Sequence, residues 1–305
     1  MHILVTGASG LLGLNFCMHF SSAHSVTGIV HSHLLKDVPF AVHQRDLTDE
    51  RQTRKLIDQF KPELIVNCAA LANVDTCERE PQSADLLNRE LPGWLAEECQ
   101  KHSLRLIHLS TDAVFDGTKE GGYLETDFPN PLSYYAKSKL QGERAVQEVT
   151  PEAILARVNF YGYSITGKRS LAEVFLKNLQ AQKPMFGFTD VMFSPLYVVH
   201  LVEVLLKMAQ AELQGLYHVT SPESQSKYAF GMSIAEKFDL DGALIDPISV
   251  DEADFLKASR SKNLVLDPGK LLGDLQITLP SQEEGMERFY QDHVHGYARR
   301  IYSLL

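Results

Sequence analysis

The sequence predicts an α/β protein built on a doubly wound parallel sheet, and three observations carry that expectation. Short apolar runs alternate with stretches of helical periodicity through the first half of the chain, as strands joined by crossover helices and covered on both faces require. The first run, His2–Thr6, passes at once into a turn holding Gly7, Gly10 and Gly13. The alternation weakens after Arg157, which predicts a smaller, partly interleaved α/β lobe. Residues 1–157 plus roughly 190–220 are assigned to the sheet domain, and 158–189 plus 221–305 to the lobe.

After the glycine turn, Leu11, Leu12, Leu14, Phe16, Cys17 and Phe20 recur at helical spacing. Ser25–His31 and Ala41–Gln44 read as the second and third strands. Asp49–Phe60 reads as a helix that turns Leu56, Ile57 and Phe60 inward, with Thr48 as its N-cap. Leu64–Asn67 is the fourth strand. Pro81–Lys101 reads as one helix in which Pro92, lacking a backbone donor, predicts a kink or split. Leu104–Leu109, helix Ser133–Val149 and Ala153–Val158 complete the alternating series. Beyond it, Leu171–Gln182, Leu196–Ala211 and Tyr228–Phe238 read as helices and Gly215–Thr220 as a strand, with Asp246-Pro247, Asp267-Pro268 and Pro280 punctuating the last stretch.

At 305 residues the chain is long enough for one large or two smaller domains, and its 44% hydrophobic and 22% charged composition is that of a globular protein. A formal charge of −10 argues against binding a nucleic-acid backbone, which requires clustered Lys and Arg. No run approaches the ~20 apolar residues of a membrane span, and the first strand begins too near Met1 to leave room for a signal peptide. Cys17, Cys68, Cys77 and Cys99 form no CxxC pair, which fits a reducing compartment. A cytoplasmic protein without membrane attachment is therefore expected. No metal site is expected either, because the pairs His31/His33 and His293/His295 have no third ligand fixed nearby.

Glycines between a first strand and a first helix let the backbone approach a pyrophosphate, while the helix N-terminus supplies unpaired N–H groups and a positive dipole end. Gly7, Ser9, Gly10, Leu11, Leu12 and Gly13 fill that turn, so a dinucleotide cofactor is expected. At the end of the second strand, where an NAD site places an acidic residue for the ribose 2′-hydroxyl, the chain reads His31-Ser32-His33. Without a carboxylate to repel a 2′-phosphate, NADPH is favoured, with NADH possible.

Tyr135 and Lys139 are four apart on a predicted helix and share a face, whereas Tyr134 meets Ser138 at that spacing. Reducing a carbonyl group requires a proton for its oxygen. A phenol with a pKa near 10 is a poor partner at neutral pH unless a cation lowers it, and Lys139 is placed to be that cation. Thr111 stands at the carboxyl end of the fifth strand, where ligands bind in such sheets. Thr111, Tyr135 and Lys139 are thus the candidate catalytic residues.

The GxxGxxG spacing resembles the short-chain dehydrogenase/reductase superfamily, whose Rossmann fold the chain is expected to share. Asn67-Cys68-Ala69-Ala70, Val74-Asp75 with Glu78 and Pro81, STDAVFDG at Ser110–Gly117, and Tyr123, Glu125, Asp127 and Pro129 ahead of YAKSKLQGE narrow the resemblance to the dTDP-4-dehydrorhamnose reductase family. Blocks at Arg157–Gly162, Phe193–Tyr197 and 260–264 extend it over nearly the whole chain. It implies an NAD(P)H-dependent reductase acting on the keto carbon of a nucleotide-diphosphate 4-keto-6-deoxysugar, with a homodimer expected. It also implies that Asp46 and Leu47 lie near the adenine and that Cys68, Ala69 and Ala70 line the cofactor. Val74, Asn88, Asp112, Ala113, Asn159 and Arg260 are its candidate substrate contacts, with Arg260 suited to a diphosphate. The chain departs from the family at Ala113, usually Tyr, at Ala136, usually Gly, and at Ser261, usually Pro.

Two rival readings share the fold. A sugar-nucleotide epimerase or dehydratase recycles the hydride on a retained cofactor, but a dehydratase would be expected to follow the threonine with an Asp-Glu pair, and here Asp112 precedes Ala113. A regulatory subunit resembling the methionine adenosyltransferase β subunit would bind dinucleotide and catalyse nothing. Retention of Thr111, Tyr135 and Lys139 argues against it.

Overall fold

The computed structural model describes residues 1–253 and 261–305. Its centre is a seven-stranded, all-parallel sheet. Six strands are β1 (His2–Thr6), β2 (Ser25–Val30), β3 (Ala41–Gln44), β4 (Leu64–Asn67), β5 (Arg105–Thr111) and β6 (Ile154–Val158). The order across the sheet is Gly215–Val219, β6, β5, β4, β1, β2, β3, so the chain reverses direction between β1 and β4. Ligands bind at such a switch point, outside the carboxyl ends of the strands.

Alternation along each strand divides the core between two faces. Leu4, Ile29, Ile65, Leu106 and Leu155 point to one side and pack with Leu56, Ile57, Leu95, Cys99 and Val146 from α2 (Glu50–Phe60) and the helices Leu91–His102 and Tyr134–Val149. Ile3, Val5, Val66, Ile107 and Ala156 point to the other side. There they meet Leu14 and Phe16 of α1 (Leu11–Phe20) and Leu201, Val202 and Leu205 of helix Val198–Gln210. Smaller pairings occupy the C-terminal half: Met185–Phe188 runs parallel to Ile245–Ile248, and Met192–Phe193 lies between Gln225–Ser226 and Asn263–Leu264.

The N-cap of α2 and the end of β5 differ from the sequence reading, and the split expected of Pro81–Lys101 is present. The N-cap of α2 is Asp49, whose carboxylate accepts from Gln52 N at 3.1 Å, because the Thr48 hydroxyl is taken by Asp46 Oδ1 at 2.7 Å. Pro81–Lys101 is three segments: Pro81–Asp85, a π-turn at Leu86–Glu90, and Leu91–His102. Pro92 cannot donate to the Asn88 carbonyl, and the chain widens there, with Leu91 N reaching back five residues to Leu86 O. Strand β5 runs on to Thr111, which places that residue at the strand's last position.

Candidate active site

The cofactor turn follows from backbone geometry. Gly7 has φ +64°, and a Cβ on it would stand 2.8 Å from the Cys68–Ala69 backbone; a side chain there would be strained and would clash. Gly10 N donates to Gly7 O at 2.8 Å, and Gly13 packs so closely that a Cβ would meet Gly7 O at 2.4 Å. The first helical bond of α1 runs from Leu14 N to Gly10 O at 3.0 Å. The N–H groups of Leu11, Leu12 and Gly13 thus precede the helical ladder and are available to an anion. This close cradle fits a dinucleotide pyrophosphate.

Below the turn, a buried polar network joins the ends of β1 and β4 to the middle of β5. The Thr6 hydroxyl donates to Asn67 Oδ1 at 2.6 Å and accepts from Ala69 N at 3.2 Å, while Asn67 Nδ2 lies 3.0 Å from His108 Nδ1. Burial holds His108 well below the usual imidazole range, so it is neutral and can accept from the amide.

Two cavities open above these ends. One of about 360 Å³ is lined by Gly7, Ser9, Gly10, His31, Ser32, Asp46, Leu47, Cys68, Ala69 and Ala70. The other, about 270 Å³, is lined by Gly10, Leu11, Leu12, Gly13, Cys68, Ala70, Ser110, Tyr135 and Lys139. Every candidate cofactor residue therefore borders one or both. A third cavity of about 240 Å³ brings together Val74, Thr111, Asp112, Ala113, Ser133, Tyr135, Lys227 and Ser261. Tyr135 alone, among the described residues, borders both the second and the third. A cleft of about 190 Å³ at Leu104–Leu106, toward the amino ends of β5 and β6, holds none of these groups.

The helix Tyr134–Val149 positions the candidate pair Tyr135 and Lys139. Ser133 caps it by accepting from Ala136 N at 3.3 Å, and Tyr134, the other phenol, turns away to donate to Asp85 Oδ2 at 2.9 Å. Lys139 Nζ is buried and donates to Leu109 O at 2.5 Å. Burial pushes this ammonium down to about 8, while Glu143 and Cys68 pull it back up. Burial pushes the Tyr135 phenol up to about 12, opposed by its hydrogen bond with Thr111 and reinforced by Asp112. The expectation of a phenol lowered overall is thus corrected, because desolvation outweighs the groups that favour the phenolate. A phenol raised in this way is a proton donor that is fully protonated at neutral pH.

On the substrate side, the Thr111 hydroxyl lies 3.1 Å from Asp112 Oδ1, and Asn159 Nδ2 donates to Asp112 Oδ2. Burial raises the Asp112 carboxyl, while Asn159, Thr111 and the nearby Lys227 charge oppose that shift. Asn159 therefore acts on this cavity through Asp112. Asn88 is not brought to the cavity: it is fully buried, accepts from Leu71 N at 2.9 Å, and donates to Leu71 O and Ser138 Oγ at 3.0 and 2.9 Å. Arg260 lies outside the described residues. Sequence reasoning missed Ser133, Lys227 and Ser261, which reach the cavity from three distant segments, and Arg169, which borders both cofactor cavities. Of these only Ser133 carried a local signal, two residues before Tyr135.

A glycine cradle at the switch point and a Thr-Tyr-Lys set beside it define an NAD(P)-dependent oxidoreductase of Rossmann type. The family described as RmlD substrate binding domain matches residues 1–295, and the chain belongs to it. Its curated relatives include the probable low-salt glycan biosynthesis reductase Agl14 of Haloferax volcanii, 34% identical over 94% of this chain and 96% of that protein. The dTDP-4-dehydrorhamnose reductase of Aggregatibacter actinomycetemcomitans is 30% identical over 88% of this chain and 91% of that protein. The methionine adenosyltransferase 2 subunit beta of Mus musculus is 32% identical over 88% and 81%. Among solved structures, the dTDP-4-dehydrorhamnose reductase of Bacillus anthracis in complex with NADP superposes with a TM-score of 0.84 at 25% identity, covering 95% of this chain and 99% of that one. The family is thus one of sugar-nucleotide reductases of the dTDP-4-dehydrorhamnose reductase kind. Among the described residues, no helix is long and apolar enough to cross a membrane.

Proposed function

We propose that this protein reduces the C4 keto group of a nucleotide-diphosphate 4-keto-6-deoxysugar, using NADPH in preference to NADH. The observation that carries the reading is the position of Tyr135, whose side chain borders both the cavity holding Lys139 and the glycine turn and the cavity holding Thr111 and Asp112. The bound cofactor supplies a hydride equivalent to the keto carbon. Thr111 orients the carbonyl oxygen, and Tyr135 gives that oxygen its proton, so that C=O becomes CH–OH. Lys139, one turn along the helix, stabilises the phenolate left behind by its positive charge. Ala113, a small side chain in the same cavity, leaves room beside the sugar.

His31 and Ser32 border the adenosine-side cavity without a carboxylate of their own. Asp46, which does border it, has its Oδ1 engaged by Thr48 N and Oγ1 at 3.0 and 2.7 Å. These features support tolerance of a 2′-phosphate. The test is a screen for loss of reduced-nicotinamide absorbance across nucleotide-linked 4-keto-6-deoxysugars, run with NADPH and with NADH. Turnover of a saturated sugar nucleotide without added cofactor, and no oxidation of NADPH, would replace this reading by an epimerase or dehydratase. The likeness to the murine methionine adenosyltransferase subunit favours a second reading, a dinucleotide-binding regulatory subunit. Recovery of a stoichiometric enzyme partner by co-purification, together with no turnover of any keto sugar, would establish it.

A further inference from the structure

Arg169 belongs to the segment between the short strand Phe160–Tyr161 and the helix Leu171–Gln180, far in sequence from the glycine turn. Its guanidinium Nη1 nonetheless donates to Ser9 O, inside that turn, at 3.2 Å. Four residues border both cofactor cavities, namely Gly10, Cys68, Ala70 and Arg169, and Arg169 is the only charged one. Gly10 is the N-cap of α1. The passage between the two cavities thus has a helix N-terminus on one wall and a guanidinium on another.

The backbone that carries Arg169 is held by a buried carboxylate. Glu173 accepts from Ser164 N and Oγ at 2.7 and 2.6 Å and from Ser170 N at 3.3 Å, and Arg169 N donates to Ser164 Oγ at 3.3 Å. The Ser170 hydroxyl accepts from Gly162 N at 3.1 Å. These bonds fix the segment while the Arg169 side chain remains exposed, free to change partner from a neutral carbonyl to an anion.

We infer that Arg169 clamps the cofactor pyrophosphate against the N-terminus of α1, closing from the far wall an anion site that the glycine turn opens from below. The inference rests on the dinucleotide reading of these cavities. A dinucleotide laid through both cavities puts its two-phosphate bridge at the passage, where a guanidinium exchanges the Ser9 carbonyl for phosphate oxygens and gains a charge-assisted, two-point contact. Arg169 is then a binding residue for both forms of the cofactor and discriminates against neither.

Equilibrium binding of NADPH, NADH and adenosine 2′-monophosphate to wild type, Arg169→Gln and Arg169→Lys, read by calorimetry, tests this. Arg169→Gln is expected to weaken NADPH and NADH by the same factor, about ten- to a hundredfold, and to flatten the salt dependence of NADPH binding. Adenosine 2′-monophosphate, which lacks the bridge, is expected to bind Arg169→Gln as it binds wild type, and Arg169→Lys to recover part of the lost affinity. Loss confined to NADPH and adenosine 2′-monophosphate would assign Arg169 to the 2′-phosphate and overturn the inference. Equal loss of all three ligands would make Arg169 a prop for the turn, and unchanged binding of all three would leave it without a role; either result overturns the inference. Wild type binding neither dinucleotide would instead remove the dinucleotide reading on which it rests.

Discussion

Glu143 and Arg157 form a buried two-point ion pair one helical turn beyond Lys139, with Arg157 Nε 2.9 Å from Oε1 and Nη2 2.8 Å from Oε2. Ser110 also donates to the carboxylate, and the guanidinium lies over the Phe115 ring, 5.0 Å from its centroid. Glu143 is four residues beyond Lys139 on one helix. It therefore ties the end of β5, the helix and β6 together while placing negative charge below the ammonium.

Glu143→Gln is expected to cost about 3–5 kcal/mol of stability, because it strands a buried guanidinium. Denaturant unfolding measures this. The same change removes the charge that holds the Lys139 pKa up, so the alkaline limb of activity should move to lower pH. A stable variant with an unmoved limb would separate the two residues.

The rate of keto reduction should fall as pH rises through about 8. Lys139 must be protonated to stabilise a phenolate, burial sets its pKa near 8, and its charge is therefore present below that value and lost above it. Tyr135, pushed up to about 12, stays protonated throughout this window. A kcat/KM profile that is flat from neutrality to well above pH 8 would show that Lys139 does not titrate there.

Tyr135→Phe should lower kcat by about 10²–10⁴-fold, the usual range for removing a general acid. NADPH affinity should hardly change, since the aromatic ring still borders the cavity. Stopped-flow hydride transfer and direct binding measure the two effects separately.

Gly13→Ala is expected to weaken NADPH binding and to destabilise the fold by about 1–3 kcal/mol. The added Cβ would sit 2.4 Å from Gly7 O, so the turn must shift and with it the N–H groups aimed at the pyrophosphate. Wild-type affinity and melting temperature in this variant would contradict the close packing of α1 on the turn.

Asn88→Ala should lower the melting temperature while leaving the KM for the sugar nucleotide near its wild-type value. Its loss takes from Leu71 N its acceptor, at about 1–3 kcal/mol for a group left unsatisfied, while Leu71 O keeps Cys77 Sγ and Ser138 Oγ keeps Tyr135 O as partners. A raised sugar KM with unchanged stability would return Asn88 to the substrate side.

Local pattern was enough for the sheet and the cofactor turn. Runs such as His2–Thr6 and Leu64–Asn67 are apolar because both faces of a parallel strand are covered, and Gly7 and Gly13 stand at backbone approaches that exclude a side chain. Tyr135 could be separated from Tyr134 because helical spacing alone puts Lys139 beside one of them. Tertiary structure alone decided what surrounds these residues. That Tyr135 is raised rather than lowered depends on burial, and that Asn88 faces Leu71 depends on how the widened turn before Pro92 packs on Ser138. Arg169 reaches the turn only through a fold that closes 160 residues of separation. Spacing along a chain fixes neighbours within one element, whereas desolvation and contacts between elements arise only when the sheet, its helices and the C-terminal segments pack together.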